Sequence, residues 1–165
     1  MWRVAVPVPT TEGVPVTKKA DFNADEWSKL VEGPLLAGMR VITADRGGTI
    51  RESLAMGKVY TQARQEQGGS DLLDELVASP PTMDPARMRS AGEINQAVAE
   101  GLREAVRLLE QKASPEDVEA YKSFVRAVAD TVARAHKEGG FLGVGGKEVS
   151  PEEQAAVDEI ESVLA

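Results

Sequence analysis

One stretch of the chain decides the fold class: SPEDVEAYKSFVRAVADTVARAHK, residues 114–137. Its apolar residues recur in steps of three and four, which is the spacing of one face of an α-helix: Val118, Tyr121, Val125, Val128, Val132 and Ala135. Ser followed by Pro is typical of a helix start, because Ser caps a free backbone N–H and Pro suits the first helical position. The stretch therefore predicts one long helix of about 24 residues.

Capping residues predict where other helices begin. Three of them are each followed by Glu three positions later, the pattern of a capping box: Asn23 with Glu26, Thr49 with Glu52, and Ser150 with Glu153. Ser70 predicts a further, shorter helix, and residues 94–109 repeat apolar side chains at helical spacing. In the helix that opens at Thr49, we expect four side chains to face the core: Ile50, Leu54, Val59 and Tyr60.

The dipeptide Gly33-Pro34 predicts a break between two helices, because Pro disrupts a helix interior and suits a helix start. The segment that follows, LLAGMRVITA (residues 35–44), is apolar nearly all round. A helix of that kind belongs in the middle of a core. Ala37 and Gly38 remove bulk from it, so a neighbouring helix is expected to approach closely there.

These signals predict an all-α, single-domain bundle of about six or seven helices, formed by residues 21–165. Residues 1–20 differ, since Val alternates there with Pro and Thr, which suits an extended arm better than a helix. The arm carries a net charge of +2, and the rest of the chain carries −10. Two interpretations stay open: a loosely ordered tail, or an arm that lies on its own body or on a second subunit.

Composition excludes several classes of function. The 165 residues include no Cys and one His, which rules out a disulfide scaffold, a Cys-ligated metal site and any multi-His site. The net charge of −8 argues against nucleic-acid or anionic-membrane binding. We find no signal peptide or apolar membrane span, and the lack of Cys fits a reducing compartment, so we expect a cytoplasmic protein. No cofactor or metal is expected.

A glycine-rich loop between the last two predicted helices, EGGFLGVGGKEVS (residues 138–150), is the most unusual stretch. It fails the pattern of a phosphate-binding loop, which needs Gly at position 141 and a hydroxyl at position 148. Its glycines are therefore expected to shape a tight reversal that pins apolar side chains between helices. The alternative is an exposed tip that contacts a partner protein, through Phe141, Leu142, Gly143, Gly145 and Gly146.

A second candidate is the turn before the helix that opens at Thr49. Flexible amides at a helix N-terminus, with Arg side chains nearby, are able to hold a phosphate or carboxylate. The candidate ligand-binding residues are Arg46, Gly47, Gly48 and Thr49. The simpler interpretation, which we favour, is a glycine turn before a capped helix.

Other charged residues give weaker signals. The lone His136 lies near a helix end, where a cation is favoured, although an imidazole is also able to act as a base. Arg40, if buried, needs a carboxylate such as Glu32 or Asp45. Most carboxylates are expected on solvated helix faces: Glu100, Glu104, Asp117, Glu119, Asp130, Asp158, Glu159 and Glu161.

Two blocks together resemble a family of small bacterial proteins with no assigned activity. They are FNADEWSKLVEGPLLAGMRVITAD (residues 22–45) and AHKEGGFLGVGGKEVSPEEQAAVDEIESVLA (residues 135–165). Members of that family are similar in an early Trp-containing helix and in a Gly-Gly-Phe-Leu-Gly-x-Gly-Gly loop. The resemblance implies a helical fold and supplies no catalytic residues.

Three hypotheses for function follow. The favoured one is a non-enzymatic helical protein that acts by contact with another protein or with a second copy of itself, in a regulatory or stress setting. The second is a binder of a small ligand or anion at residues 45–51. The third is an enzyme whose carboxylate and Arg site is assembled from distant helices.

Overall fold

A computed structural model describes residues 16–44, 49–78, 91–137 and 149–165. After a short 3-10 turn at Lys19–Asp21, these residues form six α-helices and no strand, which confirms the all-α bundle. The helices are α1 (Ala24–Ile42), α2 (Thr49–Gln65), α3 (Asp71–Ala78), α4 (Ala91–Lys112), α5 (Pro115–Lys137) and α6 (Pro151–Leu164).

The helix starts follow the predicted capping residues. The Asn23 side chain accepts a hydrogen bond from the Glu26 N–H, and the Glu26 carboxylate accepts one from the Asn23 N–H, each 2.9 Å long. Ser150 and Glu153 form the same reciprocal pair at the start of α6. Each pair satisfies two backbone N–H groups that the first helical turn leaves free.

The predicted break at Gly33-Pro34 is wrong, because α1 continues through both residues to Ile42. Proline has no N–H, so it deprives the carbonyl of Leu30, four residues earlier, of its helical donor. The hydroxyl of Tyr121 on α5 supplies a donor to that carbonyl, at 3.0 Å. A neighbouring helix therefore compensates for the proline, and the helix persists.

Helix α1 lies at the centre of the bundle and packs against α2, α4, α5 and α6. A Cβ atom built on Gly38 would lie 2.6 Å from the Met56 sulfur and 3.2 Å from a Val128 methyl. The prediction that small residues of this segment allow close helix approach is thus confirmed. The core around α1 is aliphatic, with Leu30, Ala37 and other side chains fully buried.

The predicted inward face of α2 is partly wrong. Tyr60 is buried as expected, together with Ala55 and Met56, but Leu54 is 63% exposed. Met56 packs on α1 and Tyr60 packs edge-on against Phe124 of α5, which fixes the rotation of α2. Since each residue advances 100° around a helix, Leu54 then points about 200° away from Met56, toward solvent.

Candidate functional site

The outer face of α2 forms an open groove with a volume of about 970 Å³, which we call the α2 groove. Leu54 lies at one end of it and Glu66 at the other. A Cβ atom on Gly57, between them, would meet no atom of the described residues within 4 Å. The groove is lined by Ser53, Leu54, Ala55, Gly57, Lys58, Thr61, Gln62, Gln65, Glu66 and Ala135.

Two hydrogen bonds along the α2 groove join residues four positions apart on the helix. The Thr61 hydroxyl donates to the Gly57 carbonyl at 3.0 Å, and the Gln62 amide donates to the Glu66 carboxylate at 2.8 Å. Side-chain amides carry donors and acceptors together, so they suit the backbone of a peptide. Leu54 adds an apolar contact at one end, and the groove is therefore chemically suited to bind a peptide segment.

The neighbouring helices define the two ends of the groove. The Tyr60 and Phe124 rings meet edge-on with centroids 5.1 Å apart, and Ala135, three turns later on α5, lines the same groove as Leu54. Helices α2 and α5 are therefore antiparallel. The Leu54 end lies beside the last turn of α5, and the Glu66 end lies where α2 passes into α3.

A buried polar cluster ties together the starts of α3 and α5. Asp117 is 7% exposed and accepts hydrogen bonds from the hydroxyls of Ser70 (2.7 Å) and Ser114 (2.9 Å). Burial alone would raise the pKa of Asp117, but hydrogen bonds from Ser70, Thr17 and Ser114 lower it below its ordinary value. The expectation that Asp117 lies on a solvated face is wrong, because the carboxylate joins two helix N-termini.

Arg40 is partly buried and paired, as its position in an apolar segment predicted. Its guanidinium donates to the Glu159 carboxylate of α6, with Nη2 at 2.8 Å and Nε at 3.0 Å. The sequence did not identify this partner, since Glu159 lies 119 positions away and looks like an ordinary surface residue of α6. The pair fastens α6 to α1.

Two buried tyrosines lie between α1, α2 and α5. Tyr121 is 1% exposed and its hydroxyl donates to the Leu30 carbonyl, whereas the Tyr60 hydroxyl has no hydrogen-bond partner among the described residues. Burial raises the pKa of both hydroxyls, and the proximity of Tyr60 adds to the rise for Tyr121. Both phenols are therefore neutral across the physiological pH range.

Most of the candidate site residues from the sequence fall outside the described residues. Thr49 is the first residue of α2, and His136 lies in the last turn of α5, near the helix end as predicted. The remaining candidate site residues lie outside the described residues: Arg46, Gly47, Gly48, Phe141, Leu142, Gly143, Gly145 and Gly146.

The sequence does not reveal the α2 groove, because the apolar pattern of α2 predicts a buried Leu54. One feature of the sequence does indicate an exposed face: polar or small residues lie on the same side of the helix as Leu54. They are Gly57, Lys58, Thr61, Gln62 and Gln65. Met56 contacts α1 and Tyr60 contacts Phe124 of α5, so these two residues fix the inward face.

Within the described ranges, no helix is long and apolar enough to cross a membrane. The same residues bring together no group of three His, Asp or Glu side chains that could hold a metal ion. Comparisons with known proteins found no matching family model, no matching curated protein and no matching solved structure.

Proposed function

We propose that this protein is a non-enzymatic helical protein that acts by contact with another protein, and that the α2 groove is a contact surface. The observation that carries the proposal is Leu54, a large apolar side chain 63% exposed at one end of an open groove. Covering such a side chain with a partner is worth about 1.5–3 kcal/mol. The proposed setting is the cytoplasm, in a regulatory or stress role.

The main buried polar groups join helices to one another, which supports a structural role for them. Asp117 accepts hydrogen bonds from two serines. Arg40 forms an ion pair with Glu159, and the Tyr121 hydroxyl donates to the Leu30 carbonyl. Each of these groups joins two helices and already has its partner. Function is accordingly assigned to the surface, and an exposed tip at Phe141 and Leu142, the alternative to their packing between helices, would be a second contact point.

Affinity capture from a native lysate with the full-length chain tests the proposal. Leu54→Arg should lose a partner that the wild type retains, because the charge cannot be buried in the contact. Gln96→Arg is the matched control, since Gln96 is an exposed residue of α4 and the substitution adds the same charge. Equal melting temperatures of the two variants would show that folding is intact.

Two outcomes would contradict this assignment. If Leu54→Arg and the wild type capture the same proteins while the Phe141→Ala/Leu142→Ala variant loses them, the contact surface is the loop and not the α2 groove. If inorganic phosphate raises the melting temperature in a large and saturable way, the anion-binding hypothesis at residues 45–51 becomes the better one.

A further inference from the structure

Residues 16–19, which we call the strap, lie against α3. The Lys18 ammonium is 3.9 Å from the Asp71 carboxylate, and the Lys19 N–H donates to the Glu75 carboxylate. Both carboxylates belong to α3, and both contacts are exposed to solvent. The strap and α3 are therefore joined at the surface, where water competes with each contact.

One buried carboxylate, that of Asp117 on α5, joins the strap to the start of α3. The hydroxyl of Ser70, the residue before α3, donates to it at 2.7 Å. Thr17 of the strap donates to the same carboxylate from both its hydroxyl and its N–H. Thr17 is 4% exposed and Ser70 is 8% exposed, so the two residues together keep water away from Asp117. Losing either one would admit water, which weakens the hydrogen bond of the other.

Two glycines between α2 and α3 provide a hinge. Gly68 has a φ of +110°, a conformation that favours glycine, and a Cβ atom on Gly69 would meet no atom of the described residues within 4 Å. Across the hinge, the Gly68 N–H donates to the Asp74 carboxylate at 3.0 Å. Arg64 Nε of α2 donates to the Val77 carbonyl at 2.7 Å. Both bonds lie within the α2–α3 pair, so breaking them disturbs no contact between the other helices.

Helix α3 is too short to persist without its neighbours. It has eight residues, whereas an isolated helix shorter than about 12–15 residues is marginal in water. Its inward side chains, Leu72, Leu76 and Val77, are at most 1% exposed, and α3 packs against α2 and α5. Detaching α3 would therefore uncover apolar surface that the closed bundle hides.

We propose that the strap and α3 form a lid over α2 and α5 that opens as one unit, hinged at Gly68 and Gly69 and held shut at Asp117. Opening breaks the hydrogen bonds of Thr17 and Ser70 to that carboxylate together and uncovers the apolar surface beneath α3. Proteins open in contiguous cooperative units, and lids belong to the least stable of them. The lid does not rest on the proposed function, because it opens whether or not the α2 groove binds a partner.

The far end of the strap has a separate anchor on α4. The Lys112 ammonium lies 3.4 Å from the Asp21 carbonyl oxygen and 5.7 Å from the centroid of the Phe22 ring. Phe22 is 8% exposed, and neither contact involves α3 or Asp117. The chain therefore stays fixed at Asp21 and Phe22 when the lid opens, and the strap moves with α3.

Hydrogen exchange of backbone amides in the full-length protein, measured at low denaturant concentrations, tests the lid. The Lys19 N–H, which donates to Glu75, reports on the strap, and the amides of Leu76 and Val77 report on α3. These amides should exchange with one common free energy of opening and one denaturant dependence. Both quantities should be smaller than those of the slowest amides in α1 and α5.

Thr17→Val removes a strap donor to Asp117 and keeps the side-chain shape. It should speed the exchange of the strap and α3 amides by the same factor, about tenfold. The matched control is Thr61→Val, because the Thr61 hydroxyl is exposed and bonds within α2, and it should change neither. The proposal is overturned if Thr17→Val speeds the strap amide alone, because the strap then opens without α3. It is equally overturned if the wild-type α3 amides exchange as slowly as the slowest amides of α1 and α5, because α3 then opens only on global unfolding.

Discussion

The hydroxyl of Tyr121 donates a 3.0 Å hydrogen bond to the carbonyl of Leu30, the acceptor that Pro34 leaves without its helical donor. Gly33 makes the contact sterically possible, because a Cβ atom at that position would lie 2.0 Å from the Tyr121 oxygen. The dipeptide that disrupts the hydrogen bonding of α1 therefore also opens the space for the group that repairs it. The contact joins α1 to α5 in the middle of the bundle.

Gly33→Ala should destabilise the protein by about 1–3 kcal/mol, because the new methyl group overlaps the Tyr121 hydroxyl. Denaturant unfolding measures the change. Removing the hydroxyl with Tyr121→Phe should reduce the cost of Gly33→Ala, since the nearest remaining ring atom is 3.3 Å away.

The matched control is Gly57→Ala, which also replaces a helical glycine by alanine. In the part of the chain that the structure describes, nothing lies within 4 Å of the added Cβ, so the substitution should stabilise the protein by about 1 kcal/mol through helix propensity. Similar effects of the two substitutions would contradict the close contact at Gly33.

Asp117→Asn should lower the free energy of unfolding by about 2 kcal/mol at neutral pH, because hydrogen bonds to a charged acceptor are lost. The lowered pKa of Asp117 in the folded protein means that folding favours its ionised form. This contribution is fully present above the unfolded-chain pKa of about 3.9. It is lost as the pH falls through the lower folded value.

Unfolding measured from pH 7 downward tests the assignment. The difference between wild type and Asp117→Asn should stay constant to roughly pH 4–5 and then shrink in more acidic solution. A difference that stays the same in acid would mean that the carboxylate charge contributes nothing to the cluster.

Much of the fold could be predicted from residues close together in sequence. Asn23, Ser114 and Ser150 each cap the helix that their local pattern indicated. The predicted helix break at Pro34 is wrong because the effect of this proline depends on Tyr121, which is 87 positions away. The predicted burial of Leu54 is wrong because α2 has apolar residues on several sides, and those that contact neighbouring helices fix its rotation.

The candidate site was less predictable for the same reason. A groove on one helix face depends on what the neighbouring helices leave uncovered, and no local pattern records that. Asp117 was equally hard to predict. Its local pattern is that of a surface carboxylate, and only the hydrogen bond from Ser70, at the start of another helix, shows that it is buried. Long-range contacts thus decided both the buried cluster and the open groove.

The sequence predicts that the glycine-rich loop packs the ring of Phe141 between helices; this residue lies outside the described residues. Phe141→Ala should then lower stability by about 3 kcal/mol, the usual cost of truncating a buried ring. Thermal unfolding measures it. An unchanged melting temperature together with the loss of a captured partner would favour the exposed, partner-binding tip.

The central claim is that three polar groups inside the bundle, Tyr121, Asp117 and Arg40, hold its helices together through their partners. A double-mutant cycle between Pro34→Ala and Tyr121→Phe tests it most directly. Tyr121→Phe alone should cost about 1–3 kcal/mol, because the Leu30 carbonyl loses its donor. In the Pro34→Ala background, the restored N–H of residue 34 should take that carbonyl, and the cost should fall by about 1 kcal/mol or more. An equal cost in both backgrounds would contradict the claim.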